Sequence, residues 1–325
     1  MSVSEPTFVG NVNLRIPAVP APSTAGMVSL NRKYLRVPDL QRLAHLLFTG
    51  RKLVEGLYSG KHTTRRRGQG VEFHDYREYL PGDDVGRVDW RVYGRTDRLY
   101  IRQYEHQSES TVTLLVDSSA SMAYRGQVAT SASKYDYACQ LAAAIAFLTL
   151  KEHDRAALGF AREGLVDYQP PGGSMTHLAS LLRSMELQRR WRTAGLPDAL
   201  RSLTTVSGRR QILIVLSDFL DEGDGVIREM SAIAQRGAEV LAFQIFHPDE
   251  LQLPDVESGV FVDSEGSGRL NINVPDIRVA YRKQVETFLQ GWRASCQSRG
   301  IGQHLFNTGE PYFAALERFL RARTA

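Results

Sequence analysis

Apolar runs alternate with amphipathic segments from about residue 111 to the C-terminus, and this alternation predicts the fold of most of the chain. Val112–Val116 and Gln211–Leu216 are nearly continuous apolar runs, as expected of strands that are buried on both faces of a sheet. Segments with helical spacing lie between the strands. This order implies right-handed crossovers and a mostly parallel sheet covered by helices on both faces. The predicted fold class is therefore α/β.

The predicted elements of this region follow one another closely. The strands are expected at Val112–Val116, Ala156–Phe160, Gly164–Tyr168, Gln211–Leu216, Glu239–Phe246 and Gln303–Phe306, with a hairpin at Val260–Ser264 and Arg269–Ile272. The helices are expected at Tyr135–Glu152, His177–Leu187, Leu196–Val206, Val226–Arg236, Pro275–Ser298 and Pro311–Arg321.

The first 110 residues follow a different pattern. Residues 1–36 mix Pro, Ser, Val and Gly without a period, which is typical of an extended lead-in. Val37–Ser59 has helical spacing, and Gly60 stands where a helix would end. A mostly polar stretch and a predicted strand, Leu99–Glu105, follow. We therefore expect a lead-in (1–36), a helix and signature segment (37–110) packed on the α/β domain, and that domain itself (111–325).

Composition limits the classes of function. The net charge of +4 and the pI of about 9.1 are mildly basic, and nucleic-acid binding would also need the charges to cluster on one face. Cys139 and Cys296 each sit in a helical pattern, where a free thiol packs as a small apolar group. Because the sequence shows neither a disulfide pattern, a signal peptide nor a long apolar span, we expect a cytoplasmic protein without a membrane span.

Two aspartates end buried strands of the predicted sheet. Asp117 and Asp218 each follow an apolar run, and ligands of such sheets bind at the carboxyl ends of strands. Asp117 opens the sequence Asp-Ser-Ser-Ala-Ser, which places the hydroxyls of Ser119 and Ser121 after it. These oxygen donors suit Mg²⁺, or Mn²⁺ as a substitute, and leave a coordination position open for a partner's carboxylate. The alternative is that these residues merely cap a loop or a helix.

This arrangement resembles the metal-ion-dependent adhesion site of von Willebrand factor A domains, whose first loop reads Asp-x-Ser-x-Ser. The resemblance implies a von Willebrand factor A-like fold and a metal site formed by Asp117, Ser119, Ser121 and Asp218. The family also uses a threonine in a second loop. Here the segment 170–176 offers two hydroxyls, Ser174 and Thr176, of which Thr176 is preferred.

A longer signature lies upstream of Asp117. It reads Gly-Gln-Gly-Val-Glu-Phe at 68–73, Arg-Glu-Tyr-Leu-Pro-Gly-Asp-Asp at 77–84 and Asp-Trp at 89–90. These elements are similar to the bacterial domain of unknown function 58 family, and the resemblance covers the chain from about residue 53. It implies a chaperone-like association with MoxR-type AAA+ ATPases in the assembly or activation of other proteins. Many relatives carry transmembrane helices before the signature, and this chain resembles a variant without them.

The signature predicts either a structural brace on the α/β domain or a partner-docking surface. Arg, Tyr and Trp are common among residues that dominate the energetics of protein interfaces. Both interpretations stay open. The candidate partner-binding residues are Arg77, Glu78, Tyr79, Asp83, Asp84, Arg87, Asp89 and Trp90.

The sequence thus favours a metal-dependent, protein-binding adaptor that is not an enzyme, without catalytic or organic cofactor residues. The first alternative is a haloacid-dehalogenase-like phosphatase with Asp117 as nucleophile, but Ser119 stands where that chemistry needs a second carboxylate. The second alternative is polyanion or nucleic-acid binding by the basic loop Lys61–Arg67. No aromatic residues interleave with that loop, which makes nucleic acid the less favoured partner.

Overall fold

The computed structural model describes residues 12–14, 33–35, 42, 72–79, 88–105, 110–126, 132–188, 195–206, 211–220, 223–263 and 269–324. The loop Lys61–Arg67 and, apart from residue 42, the predicted helix Val37–Ser59 lie outside these residues. The chain divides into two compact units, of which the smaller is Lys61–Glu109. The larger unit combines Met1–Gly60 with Ser110–Ala325.

The described elements follow in chain order. The strands are β1 (Val12–Leu14), β2 (Glu72–Glu78), β3 (Tyr100–Glu105), β4 (Thr111–Asp117), β5 (Arg155–Ala161), β6 (Leu165–Gly172), β7 (Gln211–Ser217), β8 (Glu239–Phe246), β9 (Ser258–Asp263), β10 (Arg269–Asn273) and β11 (Gly302–Asn307). The α-helices are α1 (Trp90–Thr96), α2 (Lys134–Lys151), α3 (Met175–Leu187), α4 (Leu196–Val206), α5 (Gly223–Gln235), α6 (Pro248–Leu251), α7 (Val274–Gln297) and α8 (Tyr312–Thr324).

A six-stranded sheet forms the centre of the larger unit. Its strand order is β11-β8-β7-β4-β5-β6, and the neighbours are parallel except that β6 runs antiparallel to β5. After β4 the chain first builds the sheet outward on one side, through β5 and β6, and then returns to add β7 on the other side. The topological switch point therefore lies between β4 and β7. The prediction of an α/β, von Willebrand factor A-like fold is confirmed.

Helices cover both faces of this sheet. Successive residues of its central strands point to opposite sides, so each strand contributes apolar side chains to both faces. On β4, Leu114 packs in the core that includes α2, α3 and α8, whereas Leu115 packs in the core that includes α4, α5 and α7. Helix α2 is buried along nearly its whole length, and its run Ala142–Ala144 is fully buried. A helix that is apolar all round belongs in the interior of a protein, and this one lies against the strand that ends in Asp117.

The larger unit also contains a small antiparallel sheet with the order β1-β9-β10. The hairpin predicted near residues 260–272 forms β9 and β10. Val12–Leu14, within the predicted lead-in, adds to it as the strand β1 and pairs with β9. No helix in the described ranges combines the length and the apolar character that crossing a membrane requires.

The smaller unit has a two-stranded antiparallel sheet of β2 and β3 in its described part. Helix α1 lies between these strands in the sequence, and Asp89 caps its N-terminus by accepting hydrogen bonds from Arg91 N and Val92 N. The strand β2 and the helix α1 were not predicted, because their sequences are mostly polar. The expected packing of this segment on the α/β domain stays a prediction.

Candidate metal site

The chain turns away from the sheet directly after Asp117, at the end of β4. The Asp117 side chain is buried, with 6% of its surface exposed. Its Oδ1 accepts a hydrogen bond from Ser119 N at 2.8 Å, and its Oδ2 accepts one from Ser217 Oγ at 2.6 Å. Ser118 Oγ donates to Ala161 O at 2.9 Å, which ties the loop to β5. The ends of three neighbouring strands thus fix the position of the carboxylate.

The hydroxyls of Ser119 and Ser121 lie beside this carboxylate. Both residues are buried, and their Oγ atoms are hydrogen-bonded to each other at 3.1 Å. Neighbouring ligands of an octahedral Mg²⁺ at ~2.1 Å are separated by about 3.0 Å, so this distance fits two adjacent coordination positions. The 3₁₀ turn Ser121–Ala123 has Ala120 at its N-cap and no side-chain cap. The serines therefore do not serve as side-chain caps of that turn.

Asp218 follows β7 and faces the switch point from the other side. Its Oδ1 accepts a hydrogen bond from Leu220 N at 3.2 Å, and its Oδ2 accepts one from Lys134 Nζ at 2.7 Å. The next residue, Phe219, has a φ of 56°, which is costly for a bulky side chain. The Phe219 ring stacks on Trp292 with 4.7 Å between centroids, and this packing offsets the strain.

The sequence did not reveal the partners of the two aspartates. Lys134 is fully buried at the start of α2, and its Nζ also donates to Glu250 Oε1 at 2.5 Å. Glu250 in turn accepts a hydrogen bond from His247 N at 2.8 Å. Lys134 lies 84 residues before Asp218 and 116 before Glu250. No local pattern signals contacts over such separations, so only the fold brings these groups together.

Burial and mutual repulsion govern the charges of the site. Burial, together with the charge of Asp218, raises the pKa of Asp117 to about 6, although hydrogen bonds from Ser217 and Ser119 act in the opposite direction. Burial alone would lower the pKa of Lys134, but the charges of Asp218 and Glu250 outweigh it and raise that pKa. Lys134 therefore stays an ammonium ion at neutral pH.

The donors at the site fit a hard divalent cation. Across the part of the chain that the structure describes, no three His, Cys, Asp or Glu side chains form a cluster that would hold a metal by themselves. The set of Asp117, Ser119 and Ser121 instead combines one carboxylate with two hydroxyls, and all three ligands are oxygens. Such a set suits Mg²⁺ or Mn²⁺ rather than zinc or copper.

Thr176 does not join this site. Strand β6 is antiparallel to β5, so Gly172 at its end pairs with Ala156, whereas Ala161 at the other end of β5 pairs with Asp117. Five residues of extended strand separate the two positions by roughly 17 Å. Thr176 is exposed in the first turn of α3. The assignment of Thr176 to the second loop assumed the same edge of the sheet, and the antiparallel strand overturns it.

The alternative hydroxyl, Ser174, lies at the same far edge and has a structural role. It caps helix α3 by accepting a hydrogen bond from His177 N at 3.1 Å. Gly195, which directly precedes α4, does lie at the Asp117 edge. A Cβ at Gly195 would lie 2.4 Å from Glu163 N, in the turn that follows β5. Thr193 stands two residues earlier in the sequence and lies outside the described residues.

The signature residues belong to the smaller unit. Glu78 forms an exposed ion pair with Arg98, at 3.6 Å, and Asp89 is buried as the cap of α1. Trp90 is 59% exposed and makes an edge contact with Tyr93. The backbone N–H of Tyr79 donates a hydrogen bond to Leu99 O. The side chain of Arg77 is outside the described part of the structure. The other candidates, Asp83, Asp84 and Arg87, lie wholly outside the described residues.

Similar proteins are found among mycobacterial sequences. The chain is 29% identical over 316 residues to "Uncharacterized protein Rv1480" of Mycobacterium tuberculosis and to "Uncharacterized protein Mb1516" of Mycobacterium bovis. Each alignment covers 93% of this chain and 96% of the relative.

Solved structures with a related fold are more distant. The chain is similar to the conserved hypothetical protein BatB from Bacteroides thetaiotaomicron, with 17% identity, a TM-score of 0.43, and coverage of 66% of this chain and 98% of that chain. It is also similar to a von Willebrand factor type A structure from Catenulispora acidiphila, with 13% identity, a TM-score of 0.36, and coverage of 68% and 43% respectively. Likenesses at this level say nothing about the function of the chain.

The family match extends through both units. Residues 75–288 match the family described as "Protein of unknown function DUF58", and this segment includes part of the signature, the Asp117 loop and Asp218. The match covers more than half of the 325 residues. The chain belongs to the DUF58 family.

Proposed function

We propose that the chain is a non-enzymatic adaptor that binds a protein partner through a divalent metal ion. Asp117, Ser119 and Ser121 would hold Mg²⁺ or Mn²⁺, with Asp218 beside them. The observation that carries the proposal is the buried pair of hydroxyls, 3.1 Å apart, next to a buried carboxylate at the switch point. A bound ion would supply an open coordination position for a carboxylate of the partner.

The charge balance around the switch point supports a divalent cation. The charge of Asp218 acts on both Asp117 and Glu250, and the ammonium of Lys134 contacts Asp218 and Glu250. The single charge of Lys134 does not neutralise all of these buried carboxylates, and a buried charge without compensation is costly. Burial first, and the charge of Asp218 second, raise the pKa of Asp117, which shows that its negative charge is costly in this place. A divalent cation would balance it.

The contacts of Asp117 favour binding over nucleophilic chemistry. Both of its oxygens accept hydrogen bonds, from Ser119 N and from Ser217 Oγ. Ser119, two residues after Asp117, has no group that works as a general acid near neutral pH. No observation therefore favours the phosphatase alternative. The polyanion alternative depends on the loop Lys61–Arg67, outside the described residues.

The partner belongs to the proposal as well. Membership in the DUF58 family is consistent with a protein-interaction module. From the resemblance noted in the sequence, we propose a MoxR-type AAA+ ATPase as the partner, in the cytoplasm and in the assembly or activation of other proteins. The exposed side chains of Trp90 and Tyr93 on the smaller unit offer a second contact for such a partner.

A binding experiment tests the proposal. The full chain and a purified MoxR-type ATPase are combined in Mg²⁺ or in EDTA, and the affinity is measured by interferometry. We expect binding in Mg²⁺ that is lost in EDTA and in the Asp117→Ala variant. The matched control is Asp224→Ala. Asp224 is exposed in the first turn of α5, so this variant should bind the ATPase with the affinity of the wild type. Equal affinity in Mg²⁺ and EDTA would refute metal-dependent binding, and no binding in Mg²⁺ would refute this choice of partner.

A further inference from the structure

The ammonium group of Lys134 is a fixed cation at the edge of the candidate metal site. The side chain is fully buried, and Nζ contacts Asp218 at 2.7 Å and Glu250 at 2.5 Å. The backbone is equally fixed, because Lys134 is the first residue of α2. A capping box of Ser133 and Asp136 holds the start of that helix. The fold thus places this cation and shields it from solvent.

We propose that Lys134 is a built-in counter-ion that keeps the affinity of the site for a divalent ion low until a partner adds a carboxylate. This inference rests on the proposed function and concerns the regulation of the same site. Lys134 compensates the charge of Asp218 in advance. Asp117 receives only neutral donors, Ser119 N and Ser217 Oγ, in the hydrogen bonds described above. Asp117 by itself holds a divalent ion weakly, so a carboxylate from the partner strengthens the complex.

The consequence is that ion binding and partner binding reinforce each other. A carboxylate from the partner raises the affinity for the ion, and by thermodynamic linkage the ion raises the affinity for the partner by the same factor. A site with two free aspartates would instead fill with Mg²⁺ whether or not a partner was present. Lys134 therefore makes the site responsive to its partner.

Glu250 should raise the affinity of the site for a divalent ion, whereas Lys134 lowers it. Its carboxylate contacts the ammonium from the side of α6, where His247 N holds the other oxygen. Glu250 thus cancels part of the positive charge that Lys134 brings to Asp218. Removing Lys134 should strengthen ion binding, whereas removing the charge of Glu250 should weaken it. A purely structural role would predict a weaker site in both cases, because both substitutions break the same cluster.

Three variants of the full chain separate these possibilities by Mn²⁺ titration calorimetry at pH 7.5. Lys134→Met should bind Mn²⁺ roughly tenfold more tightly than the wild type, as removal of a nearby unit charge implies. Glu250→Gln should bind roughly tenfold more weakly for the same reason. The double variant Lys134→Met/Glu250→Gln leaves the net charge unchanged and should stay within about threefold of the wild type. If Lys134→Met folds poorly, comparison of the double variant with Glu250→Gln still measures the effect of Lys134 on the affinity for Mn²⁺.

A second measurement does not depend on ion affinity in the wild type. In EDTA, Lys134→Met should unfold at a lower urea concentration than the wild type, because Asp218 and Glu250 are left buried without a cation. Saturating Mn²⁺ should restore most of this loss, and Asp117→Ala in the same background should prevent the rescue.

The outcomes distinguish this inference from the proposed function. Weaker Mn²⁺ binding by both Lys134→Met and Glu250→Gln would overturn the counter-ion role while leaving the metal site in place. Binding by Lys134→Met but not by the wild type would uphold the counter-ion role and refute metal binding as the function of the natural chain. Binding by neither protein would refute both.

Discussion

Replacement of Asp117 by asparagine should stabilise the metal-free protein at neutral pH. Burial and the neighbouring charge of Asp218 raise the pKa of Asp117 from 3.8 to about 6. At ~1.4 kcal/mol per pKa unit, ionisation of Asp117 costs the folded state roughly 3 kcal/mol. Asparagine carries no charge and keeps an oxygen that can accept the hydrogen bond of Ser119 N.

The sign follows from proton binding. The folded protein keeps the proton on Asp117 to a higher pH than the unfolded chain does, because the pKa is raised on folding. Between pH about 4 and pH about 6 the folded state binds more protons, so the free energy of unfolding falls as the pH rises. The asparagine variant escapes this loss. After a cost of about 1 kcal/mol for altered hydrogen bonds, we expect it to be about 1–3 kcal/mol more stable at pH 7.5.

Urea unfolding in EDTA, followed by circular dichroism, measures the difference. The wild type and Asp117→Asn are compared at several pH values between pH 4 and pH 7.5, with the exposed Asp224→Asn as the matched control. The advantage of Asp117→Asn should grow with pH, and Asp224→Asn should show no such trend. A difference between wild type and Asp117→Asn that is the same at pH 4 and pH 7.5 would refute the account of Asp117 as a destabilised, buried charge.

Three further predictions concern single contacts. Ser217→Ala should raise the pKa of Asp117 further, so Mn²⁺ affinity should fall more at pH 6 than at pH 8 in calorimetry; equal losses would disprove the link. Ser121→Ala should weaken Mn²⁺ binding severalfold and Thr176→Ala should not, since Thr176 lies at the far edge of the sheet; the reverse order would contradict the strand topology. Asp89→Ala should lower the stability of the smaller unit by about 1 kcal/mol in thermal unfolding through loss of the α1 cap, while Asp89→Asn should lose less; equal losses would argue against capping.

The strands and helices of the α/β region could be predicted because buried elements have recognisable apolar patterns in the sequence. The central strands β4 and β7 are covered on both faces and therefore read as continuous apolar runs. Helix α4 was predicted with the same limits that the structure shows, Leu196–Val206. The smaller unit has no comparable apolar pattern. Because β2 is rich in polar residues, its sequence does not predict a strand.

The error at Thr176 was avoidable on physical grounds. The turn between β5 and β6 has three residues, and a parallel connection needs a dozen or more. The second strand therefore had to return antiparallel and carry everything after it to the opposite edge.

The electrostatics of the site could not have been predicted from the sequence. The aspartates and serines share a local motif and lie at strand ends, whereas Lys134 and Glu250 come from distant segments. A lysine at the start of a helix is normally solvated, and nothing in its neighbourhood indicates burial. Only the packing of α2 across the sheet places its ammonium between two carboxylates.

Calorimetric titration of the metal-stripped protein with Mg²⁺ and Mn²⁺, beside Asp117→Ala, tests whether the loop after β4 binds a divalent ion. We expect saturable binding of one ion per chain by the wild type, and loss of that binding in Asp117→Ala with unchanged circular dichroism. Binding that persists in Asp117→Ala would place the ion elsewhere. The absence of binding in the wild type, with Lys134→Met also inert, would show that the loop after β4 is not a metal site.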